Sequence, residues 1–188
     1  MAFGRRTFLG LVAGCVLVAR PVAADPLPAG LQADLLAKVA GYDKNLRTRA
    51  GDTVKIVILT KSGDDDARWA AQVKSALEGK DRVAGLPHTE QVVVAGKLDA
   101  MAAQCKADRV AIVLVSASFL ADAAALAAAF DGANVLTAAP DQELTKRGVV
   151  LGFELVSGKP RLFLNQALAA RQGVAMSAEV MKLMTVLQ

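Results

Sequence analysis

An unbroken run of apolar positions lies within residues 109–116, preceded by Asp108 and Arg109 and followed by two closely spaced serines. A strand that is apolar at consecutive positions, and not only at alternate ones, has to be covered on both faces. Such cover is typical of a parallel sheet that lies between helices. The next two segments predict a helix at 119–130 and a strand at 134–137. The order strand, helix, strand therefore predicts a right-handed parallel crossover.

The remaining periodicity predicts further elements on both sides of this unit. The predicted strands lie at 54–60, 91–95, 109–116, 134–137, 149–156 and 161–165. The predicted helices lie at 31–46, 64–78, 98–105, 119–130, 166–172 and 178–187. Turn residues at 157–160 join the last two strands as an antiparallel hairpin. The fold class predicted is α/β, with three layers: a mostly parallel sheet, helices on both of its faces and a C-terminal antiparallel hairpin.

Several local features refine these helices. The helix at 119–130 is expected to begin at a Ser118 cap and to bury one face, which carries Phe119, Ala123, Leu126 and Phe130. The helix at 178–187 is expected to be capped by Ser177. The residues expected to face inward on that last helix are Val180, Leu183, Met184 and Leu187.

The first 24 residues have the composition of an export signal. Two arginines precede an apolar stretch that is too short to span a bilayer, and small residues lead to a cleavage position after Ala24. Residues 25–188 then form a single periplasmic domain. The segment at 5–9 resembles the twin-arginine export pattern, and ordinary secretion is the alternative. A lipid attached to Cys15 is less favoured, because the apolar stretch continues after it.

The charge of the chain changes once this signal is set aside. The full chain has 22 basic and 18 acidic residues, and the signal contains three arginines and no acid, so the mature chain keeps 19 basic residues. A nearly neutral domain without a basic stripe excludes a nucleic-acid partner. Cys105 is the one cysteine of the mature chain, so it cannot form an intramolecular disulfide. We expect it to be buried and unreactive.

Candidate catalytic and metal-binding residues are few. His88 is the one histidine, and no Gly-x-Ser-x-Gly segment supplies a nucleophile, so His88 is expected to lie in a surface loop without a catalytic role. The three aspartates at 64–66 are open to two interpretations. They could bind a divalent ion, but their place in the first turn of a helix favours an interaction with the helix dipole. No metal and no cofactor are predicted.

Ligands of open parallel sheets bind beyond the carboxyl ends of the strands. In this chain the loops expected there carry small and hydroxyl-bearing residues, which are the candidate ligand-binding residues Ser62, Gly63, Ser116, Ser118 and Thr137. These residues could hydrogen-bond a small polar ligand. They could also serve only as helix caps, and their residue types favour capping.

The C-terminal third of the chain resembles the YfiR/HmsC-like family of periplasmic proteins. The similarity lies in the strand at 149–155, in the segment Arg161-Leu162-Phe163-Leu164-Asn165-Gln166-Ala167, and in Gly173-Val174-Ala175-Met176-Ser177. Matching strands upstream extend the resemblance to about residues 31–187. Type 1 periplasmic binding proteins have a similar C-terminal pattern, but they have two lobes and about twice this length.

The resemblance to that family implies a non-enzymatic periplasmic domain, often dimeric. It further implies repression of an inner-membrane diguanylate cyclase, through the cyclase's periplasmic sensor region, and thereby a role in cyclic-di-GMP signalling and biofilm formation. Family members under redox control have disulfide pairs, so redox control is not expected with Cys105 alone. The alternative function is a small-ligand carrier akin to a transporter's binding protein, which the expected single lobe makes less favoured.

Overall fold

The computed structural model describes Met1 and residues 27–187, whose strands form one sheet. The strands are β1 (Val54–Thr60), β2 (His88–Val94), β3 (Ile112–Val115), β4 (Leu136–Ala139), β5 (Leu151–Val156), β6 (Lys159–Asn165) and β7 (Met184–Leu187). The helices are α1 (Ala29–Val39), α2 (Leu46–Ala50), α3 (Asp64–Glu78), α4 (Leu98–Ala107), α5 (Ala123–Ala129), α6 (Gln142–Arg147), α7 (Gln166–Arg171) and α8 (Ala178–Met181). The predicted export signal, with its twin-arginine segment and Cys15, lies outside the described residues.

The sheet has the strand order β2-β1-β3-β4-β5-β6-β7. The first five strands in this order are parallel to their neighbours, β5 and β6 form an antiparallel hairpin, and β7 pairs in parallel with β6. The predicted fold class is confirmed: α/β, mostly parallel, with helices on the sheet and a C-terminal antiparallel hairpin.

Strand β3 shows why consecutive apolar residues are needed at the centre of this sheet. Ile112 and Leu114 pack into one core layer, and Val113 and Val115 pack into the layer on the other face. Helices α1 and α3 cover the first layer, while α4 and α5 cover the second. The predicted apolar face at 119–130 is confirmed, since all four of its residues are buried in the second layer.

The predicted helix at 31–46 is wrong in its second half. Helix α1 ends at Val39, a 3₁₀ turn covers Ala40–Tyr42, and Asp43 has an extended backbone before α2 begins. The buried carboxylate of Asp43 binds Arg49 and accepts a hydrogen bond from the N–H of Ala175. The contact with Ala175 comes from a part of the chain that is distant in sequence, so the local periodicity did not contain it.

The predicted helix at 178–187 is also wrong, because only α8 is helical and residues 184–187 form β7. Strand β6 offers a free edge, and the β-branched residues of β7 pair with it in parallel. Leu183, predicted to face inward, is 76% exposed. Ser177 precedes α8, but its side chain makes no capping hydrogen bond.

Other differences are smaller. Helix α6 was not predicted; it is capped by Asp141, whose carboxylate accepts the N–H of Leu144 at 2.6 Å. The predicted helix at 119–130 is a 3₁₀ segment, Ala117–Asp122, followed by α5. Strand β4 starts two residues later than predicted, after Asn134, which has a positive φ of 56°. Strand β2 starts three residues earlier than predicted and so includes His88.

Candidate functional site

The strand order reverses direction between β1 and β3, which makes their carboxyl ends the topological switch point of the sheet. Connections leave these two neighbouring strands towards opposite sides, so a crevice opens between them. Residues 61–63 follow β1, and residues 116–118 follow β3. We call these two loops, together with Asp66 of α3, the switch-point site.

Asp66 is the hydrogen-bonding centre of the switch-point site. Its Oδ2 accepts the backbone N–H of Lys61 at 2.7 Å and lies 2.9 Å from the hydroxyl of Ser116 and 2.7 Å from that of Ser118. Charged acceptors make shorter and stronger hydrogen bonds than neutral ones. The carboxylate therefore joins the end of β1, the start of α3 and the end of β3.

The two serine hydroxyls are also close to each other, with 2.6 Å between their oxygens. Each hydroxyl has one proton and two lone pairs, so Ser116 and Ser118 can each donate one hydrogen bond within the site and still accept another. A donor from outside the protein could satisfy the remaining acceptor capacity. The loop at 116–118 is therefore suited to a ligand that donates hydrogen bonds.

Gly63 sets the path of the chain from β1 into α3. Its φ of +154° is rarely adopted by residues with a side chain, and a Cβ at this position would meet no atom within 4 Å. The requirement for glycine is thus conformational. Its carbonyl accepts the N–H of Ala67 at 3.0 Å in the first turn of the helix.

A cavity of about 370 Å³ adjoins the switch-point site on the face covered by α1 and α3. Its lining includes Leu27, Gln32, Asp66, Trp69, Ser118 and Pro140. The indole N–H of Trp69 donates to Gln32 at 3.2 Å, and the Gln32 amide donates to the carbonyl of Leu27 at 2.6 Å. This chain of hydrogen bonds holds the aromatic ring as a fixed wall. The volume is within the usual range for small-molecule sites.

The charge around this cavity is negative. Of the described residues that line it, two are the aspartates Asp65 and Asp66, and none is basic. The ammonium of Lys61 is directed elsewhere, where it pairs with Asp122 and lies 5.1 Å from the centre of the Phe119 ring. The geometry offers hydrogen-bond acceptors, an aromatic wall and apolar surface, which suit the binding of a small molecule.

The structure brings some of the five predicted residues together and places one apart. Ser116 and Ser118 meet at Asp66, and Ser62 and Gly63 are exposed in the neighbouring loop. Thr137 lies inside β4 and is fully buried; its hydroxyl donates to Gln172 at 2.9 Å and accepts the N–H of Val150 at 3.0 Å. A ligand-binding role for these residues stays a prediction. The expected Ser118 cap is wrong, since the 3₁₀ segment at 117–122 has no side-chain cap.

Sequence reasoning missed Gln32 and Trp69 as neighbours of the site, and for Asp66 it offered a helix-dipole role or, less favoured, a metal-binding role. Trp69 had the spacing of a core residue, and it does pack at the edge of the core. Only the juxtaposition of α1, α3 and β3 reveals the shared cavity. The polar character of Gln32 on the buried side of a predicted helix was the one available signal, because buried polar groups need partners.

The surface-loop prediction for His88 is wrong. His88 begins β2, and its side chain is almost completely buried between Glu90 and the carbonyl of Lys80, which lies 2.9 Å from Nε2. The imidazole thus has a partner on both nitrogens. Its role in the described structure is to fix the start of the edge strand.

The prediction of a buried Cys105 is confirmed. The residue lies in the second core layer on α4. Burial, together with the negative charge of Asp108, raises the pKa of the Cys105 thiol to about 11. Since the thiolate is the reactive form, this cysteine is a poor nucleophile near neutral pH.

Two further properties of the described residues bear on the nature of the site. Among residues 27–187, no three acidic, histidine or cysteine side chains lie close enough together to share a metal ion. No helix in the same part of the chain has both the length and the apolar character needed to cross a membrane.

Comparison with protein families gives one match that covers most of the chain. The sequence profile of the YfiR/HmsC-like family matches residues 30–185. No curated protein sequence is significantly similar to the chain.

Solved structures resemble the chain in fold at very low sequence identity. They include an ABC domain from Streptococcus pneumoniae in complex with L-Trp (TM-score 0.60, 11% identity) and a conserved domain protein from Vibrio cholerae (TM-score 0.59, 11% identity). Both alignments cover 86% of this chain, and 62% and 60% of the other chains. The ligand-free, open form of a substrate binding protein with adhesive properties from Clostridium difficile gives a TM-score of 0.56 at 9% identity, with 77% and 58% coverage. The chain thus spans about 60% of the length of these proteins.

Proposed function

Because the chain belongs to the YfiR/HmsC-like family, we propose that it is a periplasmic regulatory protein that represses an inner-membrane diguanylate cyclase. It would do so by binding the periplasmic sensor region of that cyclase. The family match is the observation that carries this proposal, since it extends over 30–185 and therefore over nearly every described element.

Periplasmic location is part of the same proposal. Residues 1–24 have the composition of a cleaved export signal, and the family is periplasmic. Removal of this segment would leave residues 25–188 as the functional domain. A protein released in this way can reach a sensor domain that projects from the inner membrane.

The chemistry of the described residues supports binding without turnover. His88 has both nitrogens engaged, and the thiol of Cys105 is protonated at neutral pH. The hydroxyls of Ser116 and Ser118 contact a carboxylate and each other, with no histidine or lysine beside them to act as a base. Serine nucleophiles are usually activated by a histidine or a lysine, so the shared contacts to Asp66 favour a structural role for the two hydroxyls.

A second candidate function is the binding of a small ligand. The cavity beside the switch-point site favours it, because the cavity has a suitable volume, a fixed aromatic wall and a loop with spare acceptor capacity. The fold likeness to one part of substrate-binding proteins is consistent with this function. The two candidates are compatible if a ligand controls the repressor.

Deletion of the gene tests the repressor function directly. We expect cyclic-di-GMP to rise in the deletion strain and to fall again when the gene is restored. Charge reversal at the exposed Lys38 of α1 or at Lys182 should have the effect of deletion without unfolding the domain. The matched control is Lys106→Glu, an exposed lysine on α4 at the other face of the sheet, which should repress normally.

Unchanged cyclic-di-GMP after deletion would contradict the repressor function. The ligand function is tested separately by thermal unfolding of the purified protein with L-Trp, the molecule present in one of the similar structures. Stabilisation by L-Trp that Trp69→Ala abolishes would favour the second function.

A further inference from the structure

The cavity beside the switch-point site has a charge that selects among small ligands. The described residues that line it include two charged side chains, Asp65 and Asp66, and both are carboxylates. A concave site lined by one sign of charge attracts ligands of the opposite sign. The lining therefore favours a cation over an anion.

The basic side chains next to these carboxylates in sequence do not balance the charge of the cavity. The ammonium of Lys61 pairs with Asp122, and Arg68 donates to Asp65 at 3.0 Å in a largely exposed pair that solvent screens. Neither base lines the cavity. Within the described range 27–187, Asp66 has no ion-pair partner, so its charge is available to a ligand.

One oxygen of Asp66 is also free to accept hydrogen bonds. The three bonds that this carboxylate receives, from the N–H of Lys61 and the hydroxyls of Ser116 and Ser118, all end at Oδ2. No described residue donates to Oδ1. Because each carboxylate oxygen has two acceptor sites, Oδ1 can bind a donor without disturbing the contacts at Oδ2.

The aromatic wall of the cavity lies on the same side of α3 as this carboxylate. Trp69 follows Asp66 by three residues, a spacing that places two side chains next to each other on a helix. The indole N–H is already used by Gln32, which is 2% exposed and therefore fixes the ring. The ring thus offers its π surface and apolar edge, which bind ammonium groups and apolar bodies.

Given that the cavity binds a small ligand, as the second candidate function holds, we propose that this ligand is a primary amine with an apolar body and no acidic group. Its ammonium donates to Oδ1 of Asp66 and to the hydroxyl oxygen of Ser118. Its apolar body packs against Trp69, Leu27 and Pro140, which line the same cavity. The volume of about 370 Å³ accommodates one aromatic ring with a short side chain.

The same lining disfavours acidic and zwitterionic ligands. A carboxylate or phosphate in this cavity would face Asp66, and no lining residue supplies a positive side chain to it. The N-terminus of α3 is positively polarised, but the three aspartates of its first turn already balance it. An amino acid would gain at its ammonium and lose at its carboxylate.

Calorimetric titration of the purified full-length protein with three matched compounds tests the proposed ligand class. At neutral pH, 2-phenylethylamine is a cation, 2-phenylethanol is neutral and 3-phenylpropanoate is an anion, and all three share one phenyl ring on a short chain. We expect the amine to bind at least about tenfold more tightly than the alcohol, and the propanoate to bind more weakly than either. Added salt should narrow the difference between the amine and the alcohol.

Variants assign the effect to the named side chains. Asp66→Asn should weaken binding of the amine by about tenfold and leave that of the alcohol unchanged, because it removes the charge and keeps the size. The matched control is Asp64→Asn, which removes an exposed carboxylate of the same turn that does not line the cavity, and should change neither affinity. Trp69→Leu should weaken both compounds. Circular dichroism confirms that each variant is folded.

The outcomes separate the ligand class from the function on which it depends. Equal affinities for the amine and the alcohol, or an amine affinity that Asp66→Asn does not lower, would overturn the proposed class while small-ligand binding stands. If none of the three compounds binds but L-Trp stabilises the protein, the class is likewise wrong. If neither the three compounds nor L-Trp binds, the class and the second candidate function both fall. The repressor function is measured separately, by cyclic-di-GMP.

Discussion

Asp43 and Arg49 form an ion pair in which the two side chains are 0% and 2% exposed. Asp43 Oδ1 also accepts the N–H of Ala175 at 3.0 Å, and the Arg49 guanidinium donates to the carbonyl of Gly173 at 3.1 Å. The pair thus fixes the turn between α1 and α2 against the segment at 173–177. That segment was one of the three on which the family resemblance depended, and the structure gives its backbone a definite role.

Removal of one member of this pair should be strongly destabilising. Arg49→Met leaves the Asp43 carboxylate buried without its counter-charge, which typically costs about 3 to 5 kcal/mol of unfolding free energy. Urea denaturation measures the change. The double variant Asp43→Asn/Arg49→Met should lose less than the sum of the two single variants. Additive losses would contradict a direct coupling between the two residues.

Gly152 in β5 should not tolerate a side chain. A Cβ at this position would lie 2.1 Å from the Oγ1 of Thr145, whose hydroxyl donates to the carbonyl of Asp141 in the first turn of α6. We expect Gly152→Ala to lower the unfolding free energy by about 1 to 3 kcal/mol, since α6 must shift.

The control for that variant is Gly30→Ala in α1. No atom lies within 4 Å of a Cβ at Gly30, and alanine favours a helix more than glycine does, so this variant should gain about 0.5 to 1 kcal/mol. Equal stability losses in the two variants would show that the close approach of α6 to β5 is not what requires glycine at 152.

Asp66 should contribute to stability through its position and not only through the helix dipole. Asp66→Asn keeps the size of the side chain but removes the charge that strengthens the contacts to Ser116, Ser118 and the N–H of Lys61. We expect a loss of about 1 to 2 kcal/mol, measured by thermal and urea unfolding. Asp64→Asn is the control, because Asp64 is exposed in the same first turn. A helix-dipole role alone predicts equal effects of about 0.3 to 1 kcal/mol.

The parts of the fold that could be predicted from sequence are those in which local pattern and burial coincide. Strand β1 was predicted with its observed bounds, and β3 was recognisable because a strand covered on both faces must be apolar at consecutive positions. The hairpin of β5 and β6 followed from turn residues at 157–160. In each case the decisive residues are close together in sequence.

The parts that could not be predicted depend on residues that are distant in sequence. Residues 184–187 fit an apolar helix as well as a strand, and only the free edge of β6 decides between the two. Helix α1 ends where Asp43 is held by residues more than a hundred positions away. The Asp66 centre likewise requires the ends of β1 and β3 to be neighbours, so the sequence indicated the two loops but not the carboxylate between them.

Cys105 should make the stability of the protein depend on pH in the alkaline range. Burial raises the pKa of its thiol from 9.0 to about 11, so the unfolded chain loses this proton at a lower pH than the folded chain does. The contribution of the Cys105 thiol to the unfolding free energy is therefore complete below about pH 9. It is lost as the pH rises towards 11. The slope is about 1.4 kcal/mol for each pH unit, because one proton is involved.

Comparison with Cys105→Ala isolates this contribution from the other groups that titrate in the same range. Near pH 8 the variant should be less stable than the wild type by about 1 kcal/mol, from the loss of packing alone. Near pH 10 that difference should shrink to about zero or reverse, since the alanine variant has no thiol that ionises on unfolding. Urea denaturation at the two pH values provides the measurement. If the stability difference between the variant and the wild type were the same at the two pH values, the thiol would have the same pKa in the folded and the unfolded chain. That result would contradict the burial of Cys105 in the second core layer.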